Sequence, residues 1–514
     1  MHIKILWADD EIDLLKPHIM FLESKGYEVV PVNNGISAVD ENSDKDFDII
    51  FLDENMPGIT GLEALSRIKK EKPMVPVVMI TKSEEEYIME EAIGSNIADY
   101  LIKPVNPNQI LLSIKKNLDQ SKLVSQTVNS GYQREFGELG MKLNSHLDVE
   151  EWVSIYKDLV YWELKLEKIE DSGMREIYNM QKKEANTQFS KFIESNYLDW
   201  LNGVEDAPQM VHTLFKNKIN PKLSESDVFL IVIDNLRYDQ WKVLSPIFSK
   251  YYSINEEEII YSILPTSTQY ARNAFFAGLM PSEIVKKYPK YWINEEEEGG
   301  KNMYEEELLE ANLKRLGRNI KWSYNKITNL SAGKKLVDNF NQLLDNQLNA
   351  IVYNFVDMLS HARTEMEMIR ELANDESAYR SLTLSWFEHS PLHDIVKKCA
   401  ESGRKLIITT DHGTVRVSNP VKIVGERSTN SNLRYKTGRN LSYKEKDVFQ
   451  VKNPEDAFLP KIGISSEYVF TRDEDYFVYP NNYNHFVNHF SNTFQHGGIS
   501  LEELLIPYIE LDPK

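Results

Sequence analysis

The rhythm of apolar and polar positions changes twice along the chain. Through residues 1–119, short apolar runs alternate with amphipathic stretches: IKILWA (3–8), YEVVPV (27–32), FDIIFLD (47–53), VPVVMI (75–80) and ADYLIK (98–103). Apolar runs separated by helix-length segments predict a parallel sheet with helices on both faces. From about 108 to 200 the strand signal stops. Trp152, Ile155, Tyr156, Leu159, Trp162, Leu166 and Ile169 recur at steps of three and four, which is one helix face, and Phe189, Phe192 and Ile193 mark a second. Strand–helix alternation returns near 227 with VFLIVI (228–233), IIYSIL (259–264), AIVYNFV (350–356) and KLIITT (405–410). The pattern predicts a multidomain α/β protein: a parallel-sheet domain over 1–119, an α-helical bundle linker over 120–206 and a large α/β domain over 207–514.

Bulk numbers narrow the setting. A length of 514 residues suits several domains. The single cysteine, Cys399, excludes a disulfide within the chain and fits a reducing compartment. MHIKILWADD has no basic segment followed by a long apolar one, so a secretory signal is not expected. No apolar run is long enough for a membrane span. The expected location is cytoplasmic. A net charge of −20, from 59 basic and 79 acidic residues, opposes broad contact with phosphate backbones. Direct duplex DNA binding is therefore not expected. EEEEGGK (295–301) reads as a solvated loop.

Chemistry gathers at predicted strand ends, where open parallel sheets place their functional groups. In the first domain, strand one ends in Asp9 and Asp10, strand three in Asp53, strand four in Thr81 and strand five in Lys103. Three converging carboxylates repel one another unless a cation sits among them. An oxygen-only cluster suits Mg²⁺. Asp53 is then a nucleophile toward a phosphoryl donor, giving an aspartyl phosphate. Thr81 and Lys103 would hold the phosphoryl oxygens, the lysine as a point charge. This pattern resembles the CheY-like receiver domain of two-component response regulators. The resemblance implies Mg²⁺ ligands Asp9, Asp10, Asp53 and the Asn55 carbonyl, phosphoacceptor Asp53, and Tyr100 at the aromatic switch position. It also implies a sensor histidine kinase partner and homodimerisation on phosphorylation.

The large domain carries a second constellation. VFLIVI ends in Asp234, AIVYNFV in Asp357, and KLIITT runs into Asp411 and His412; His496 follows in FQHGGISLEELLIP. Asp357 and His361 are four apart, so on a helix they share a face. Mixed Asp/His sets suit zinc, and six ligands make two three-residue sites. Two metals clamp the attacking and leaving oxygens of a phosphoryl displacement. PTSTQYARN (265–273) offers Thr266 and Thr268 as hydroxyl nucleophiles, at a predicted helix start suited to phosphate. Arg272, one turn beyond Thr268, is expected to point the same way. Past Asp411-His412 the loop GERSTNSNLRYKTGRN holds Arg427, Arg434, Lys436 and Arg439 against Glu426 alone. It is expected to grip a phosphate or oligonucleotide, with Tyr435 offered as a base-stacking surface.

The motifs DNLRYD, PTSTQYAR, TTDHGT and HGGISLEE resemble the PglZ branch of the alkaline phosphatase superfamily, over roughly residues 207–514. The resemblance implies one zinc on Asp357, His361 and His496 and another on Asp234, Asp411 and His412. It favours Thr268, three residues after Pro265, as nucleophile over Thr266. The order of the three segments resembles response regulators linked to the type IX secretion system. It implies a phosphodiesterase acting on cyclic or linear oligonucleotides. The alternative is a metal-stabilised scaffold that binds a sigma factor or a secretion component, with hydrolysis incidental.

Overall fold

The computed structural model describes all residues except 1–2, 83–96, 169–171, 295–296, 298, 366–374, 427–428, 462 and 464. Backbone alone is described at 115–116, 119–131, 133–134, 172 and 361–365. Contacts divide the chain into two compact units, Met1–Arg134 and Glu135–Lys514.

In the first unit, strands β1 (Lys4–Ala8), β2 (Glu28–Val32), β3 (Ile49–Asp53), β4 (Val77–Thr81) and β5 (Asp99–Ile102) form one parallel sheet in the order β2-β1-β3-β4-β5. Alternation within each strand supplies two cores. Leu6, Ile50, Leu52 and Met79 face one helical layer, and Ile5, Trp7, Phe51 and Val78 the other. Both faces are covered, so β3 and β4 are buried throughout. Helix Gly61–Glu71 shows why the helices start and stop where they do. Thr60 and Glu63 form a reciprocal capping box, and Lys69 and Lys70 close the last turn. The strand order reverses between β1 and β3, which opens a crevice at their carboxyl ends.

The second unit combines the bundle helices with the large α/β domain. Helix Val149–Leu166 is capped by Asp148 and Glu151 and buries Trp152, Ile155, Tyr156, Leu159, Trp162 and Leu166. These are the positions of the expected helix face; Ile169 lies outside the described residues. Helix Ser172–Leu201 buries Phe189 and Ile193. The bundle does not stand apart, because its buried face packs on the neighbouring α/β domain. The Tyr261 hydroxyl donates to the Val149 carbonyl, and Leu264 N–H donates to the Tyr197 hydroxyl at 2.8 Å.

The large domain holds β6 (Val228–Ile233), β7 (Tyr252–Tyr261), β8 (Trp322–Ile327), β9 (Leu348–Tyr353) and β10 (Lys405–Thr409). Six short strands follow: β11 (Val415–Arg416), β12 (Asn419–Lys422), β13 (Tyr435–Gly438), β14 (Phe449–Val451), β15 (Glu467–Phe470) and β16 (Asp475–Val478). β17 (Phe494–Gln495) and β18 (Leu505–Pro513) complete it. The main sheet runs β7-β18-β10-β6-β9-β8. β10, β6, β9 and β8 are parallel neighbours; β18 is antiparallel to both β10 and β7. β6 and β9 are wholly buried; β6 is an unbroken apolar run, and the one polar residue of β9, Asn349, donates to the Leu343 carbonyl. Among the described residues, no helix is long and apolar enough to cross a membrane.

Candidate functional sites

The β1/β3 crevice of the first unit gathers the expected acids. Ligand oxygens of Asp9, Asp10 and Asp53 lie within 4.8 Å of one another. Asp9 and Asp53 are buried at strand ends, while Asp10 is exposed. The Lys103 ammonium reaches between them, 2.8 Å from Asp9 and 3.1 Å from Asp53. Burial pushes Asp53 up to about 6, against the pull of Lys103. Burial also disfavours the charge on Lys103, but its bonds to Asp9 and Asp53 outweigh that and raise its pKa. Thr81 is buried at the end of β4, and its side chain is hydrogen-bonded to Tyr100 on β5. Asn55 is exposed in the loop after Asp53. The carboxylate cluster fits a hard divalent cation such as Mg²⁺, because it offers oxygen ligands alone, all within 4.8 Å of one another.

The second site forms where β10, β6 and β9 lie side by side. Adjacent strands are about 4.8 Å apart, so residues just past their ends meet without long loops. Asp234 follows β6, Asp411 and His412 follow β10, and Asp357 sits in helix Phe355–Glu365 after β9. Ligand atoms of Asp234, Asp411 and His412 lie within 4.8 Å of one another, and all three residues are fully buried. His496, just past β17, has Nε2 3.5 Å from Asp357 Oδ1, and its ring stacks on His412 with centroids 4.4 Å apart. His361 lies in the same helix, one turn after Asp357; its side chain is outside the described set.

These residues fit a cation. Asp411 Oδ2 is buried and accepts no hydrogen bond. Burying a carboxylate oxygen in this way is costly unless positive charge compensates it. Arg272 supplies part of that charge: Nη1 lies 2.5 Å from Asp234 and 3.9 Å from Asp411. Burial pushes Asp234 up, but the Arg272 guanidinium outweighs it and holds the acid below its ordinary range. Burial prevails at Asp411, whose pKa is raised. A donor set of two carboxylates and an imidazole suits zinc.

Thr268 opens helix Thr268–Ala277 beside this cluster. Its hydroxyl donates to Asp234 Oδ1 at 3.3 Å and lies 3.1 Å from His412 Nε2. Thr266 is placed differently. It is fully buried, its hydroxyl donates to the Gly498 carbonyl at 2.8 Å and accepts from Gly497 N–H at 3.0 Å. That hydroxyl holds the glycine turn after His496.

Arg272 shares the direction of Thr268, with Nη1 2.5 Å from Asp234. It is fully buried and anchored through Nε to Glu305 at 2.5 Å. Several expected substrate contacts are corrected. Arg434 is buried too, paired with Glu503 at 2.5 Å and bonded to backbone carbonyls of Arg472 and Ile499. Lys436 is buried, donating to the Asn430 carbonyl at 2.8 Å with its ammonium over the Tyr479 ring. Tyr435 is buried against Tyr270 and Phe470. The physical reason is β13: its four residues pair with β15 inside the domain, so this part of the basic run is interior strand. Arg439, one residue past β13, is exposed; Arg427 lies outside the described residues.

Sequence reading missed Glu305 and Arg237. Glu305 accepts from Arg272, Tyr324, Lys326 and Asn302; against its burial, the charges of Arg272 and Lys326 and the Tyr324 hydroxyl hold its pKa below the ordinary value. Nothing in its acidic run EEELLE distinguishes it. Arg237 lies within DNLRYD, three residues after Asp234; a charge so close to a buried strand was the available signal.

An acidic crevice on a doubly wound sheet, joined in one chain to an Asp/His cluster beside a helix-terminal threonine, defines a receiver linked to an alkaline-phosphatase-like metal-binding domain. The chain belongs to the PglZ family: the model of the BREX system PglZ alkaline phosphatase-like domain matches residues 214–511, more than half of it. The PorX response regulator linker domain matches 122–201, and the response regulator receiver domain matches 5–115. This PorX-type order makes the chain a two-component regulator with a hydrolase-like effector domain. The transcriptional regulatory protein ZraR of Klebsiella oxytoca is 31% identical over 138 residues, 27% of this chain and 31% of ZraR. ResD of Bacillus subtilis (strain 168) is 32% identical over 122 residues, 24% of this chain and 50% of ResD. The chain thus spans about a third to a half of the length of these curated relatives. Among solved structures, a CheY-like receiver domain protein from Methanospirillum hungatei JF-1 is 27% identical and covers 23% of this chain and 96% of its own, with a TM-score of 0.23.

Proposed function

We propose that the chain is a phosphorylation-controlled, zinc-dependent phosphodiesterase. The observation that carries this reading is the Thr268 hydroxyl, 3.1 Å from His412 and 3.3 Å from Asp234 at a helix N-terminus. Asp234, Asp411 and His412 would hold one zinc, and Asp357, His361 and His496 the other. Bound zinc supplies Lewis acidity that makes a hydroxyl nucleophilic near neutral pH and offsets charge on phosphate oxygens. Thr268 Oγ1 attacks phosphorus as the bond to the leaving alcohol oxygen breaks. Water then displaces Thr268 and restores the hydroxyl. The free N–H groups of the helix start bind a phosphate oxygen. Arg272, anchored by Glu305, keeps Asp234 ionised and oriented.

In the receiver, Asp53 accepts a phosphoryl group from a sensor histidine kinase; Asp9, Asp10, Asp53 and the Asn55 carbonyl would hold Mg²⁺, which would offset charge on the phosphoryl oxygens. Thr81 and Lys103 bind the new oxygens, and Tyr100 follows Thr81. Phosphorylation shifts the chain toward a homodimer. The substrate class is a cyclic or linear oligonucleotide, and the pathway regulated is type IX secretion, in keeping with the PorX-type linker.

The test is hydrolysis of a chromogenic phosphodiester by metal-analysed protein, wild type beside Thr268→Val. Activity with about two zincs per chain, lost in a variant that retains the metal, supports Thr268 as nucleophile. Full zinc occupancy without hydrolysis, before and after phosphorylation, overturns the catalytic reading and leaves a metal-stabilised scaffold for a sigma factor or secretion component.

A further inference from the structure

A buried chain of alternating charges runs from the linker helices to every ligand-bearing segment of the second site. Its hub is Arg237, which is fully buried. The guanidinium grips Asp239 through Nε at 2.9 Å and Nη2 at 2.5 Å, and Nη2 also meets Glu376 at 2.5 Å. Nη1 donates to the Thr414 carbonyl at 3.5 Å, two residues past His412. The same group lies over the rings of Tyr379 and Phe494, at 5.6 and 5.5 Å. Those rings stack on each other, 4.1 Å apart. Phe494 is two residues before His496, and the Tyr379 hydroxyl donates to the Val356 carbonyl, one residue before Asp357. Arg237 itself is three residues after Asp234. One side chain therefore braces the backbone beside Asp234, His412, His496 and Asp357.

The hub is tied to the linker. Arg380 Nη1 bridges Asp239 at 2.6 Å and Glu163 of helix Val149–Leu166 at 2.7 Å, and Nη2 pairs with Glu167. Glu163 accepts from Lys182 at 3.0 Å and from the Tyr178 hydroxyl at 2.9 Å. Lys182 pairs in turn with Glu502 at 3.0 Å. The Glu502 backbone carbonyl lies against Gly413, where any Cβ would collide with it. The linker thus reaches the His412 turn by two routes, through Arg380 and through Glu502.

We propose that Arg237 is the positioning residue for the two ligand sets and that Glu163 of the linker sets its geometry. Removing one charge from a buried alternating chain leaves its neighbours uncompensated, so the loss propagates along it. The linker is then a built part of the site's second layer, and a change in the linker alters ligand geometry. This rests on the metal-site reading above, and its test separates the two.

The experiment is hydrogen exchange on the metal-free full chain, for wild type, Glu163→Gln and Arg237→Lys, with zinc affinity measured separately by chelator competition. Glu163→Gln keeps the shape and removes the charge, which guards against unfolding. Exchange should rise roughly tenfold in segments 234–239, 411–416 and 493–497, with β7 unchanged. Zinc affinity should fall about 10–100-fold in both variants. Wild-type exchange in those segments, or a uniform rise that includes β7, overturns the proposal. A wild type that binds no zinc refutes the metal reading instead, and the exchange result still decides the positioning role.

Discussion

The two acidic clusters of this chain solve one electrostatic problem in different ways. Each gathers carboxylates at the ends of adjacent parallel strands, and each sets a basic side chain among them. In the receiver that side chain is Lys103, on a flexible stem and 13% exposed. In the large domain it is Arg272, fully buried and clamped by Glu305. A lysine at a solvent-facing crevice can swing toward an arriving phosphoryl group. A guanidinium locked between two acids cannot move without breaking both pairs. The first cluster therefore suits a switch that changes charge state, and the second suits a rigid centre. The donor types agree: oxygen alone in the receiver, oxygen with imidazole in the effector.

The largest effect that would sharpen the contrast is catalytic. Thr268→Val should lower diester hydrolysis on the order of 10³-fold or more, whereas Asp53→Ala should leave hydrolysis by the unphosphorylated chain near wild type. Steady-state rates on both variants check this, and equal losses would dissolve the distinction between switch and centre. Next comes stability. In metal-free protein, Arg272→Met should cost about 3–5 kcal/mol, because it strands Asp234 beside Asp411 in the interior. Lys103→Met should cost roughly 1–2 kcal/mol. Urea unfolding followed in each unit measures both, and a larger loss at Lys103 would reverse the reading of which site is rigid.

The smallest effect is in pH dependence, and its sign differs between the units. Asp53 is raised by burial to about 6, above its ordinary 3.8. The folded receiver holds that proton more tightly than the unfolded chain. Its contribution to stability is complete below about 3.8 and is lost as pH rises through about 6. His212 in the effector unit is depressed by burial to about 4, below its ordinary 6.5. Its contribution is complete above about 6.5 and is lost as pH falls through about 4. Difference curves for Asp53→Asn and His212→Gln, taken on metal-free protein, should slope in opposite directions.

Much of the fold was legible because strand ends and helix faces are local patterns. VFLIVI marked β6 to the residue, and the steps from Trp152 to Leu166 marked a buried helix face. The ligand candidates were legible for the same reason: an acid or imidazole directly after a buried apolar run is an unusual local event. The gripping loop was misread because charge in a loop and charge in a short buried strand look alike in one dimension. Arg434 and Lys436 find Glu503, Asn430 and Tyr479 only after β13 pairs with β15. Arg272 points with Thr268 onto Asp234 as expected, but its anchor Glu305, 33 positions away, was not legible.

By itself, then, the sequence determined the main parallel strands, the long helix faces, and which strand ends carry the acids and imidazoles of two separate clusters. Tertiary structure alone decided which basic residues are buried. It put Thr268 at the Asp/His cluster and Thr266 at the glycine turn, and joined Glu163 of the linker to Arg237 through Arg380 and Asp239. The physical reason is that a buried charge is defined by partners far away in the chain, and packing chooses those partners only when the sheets assemble.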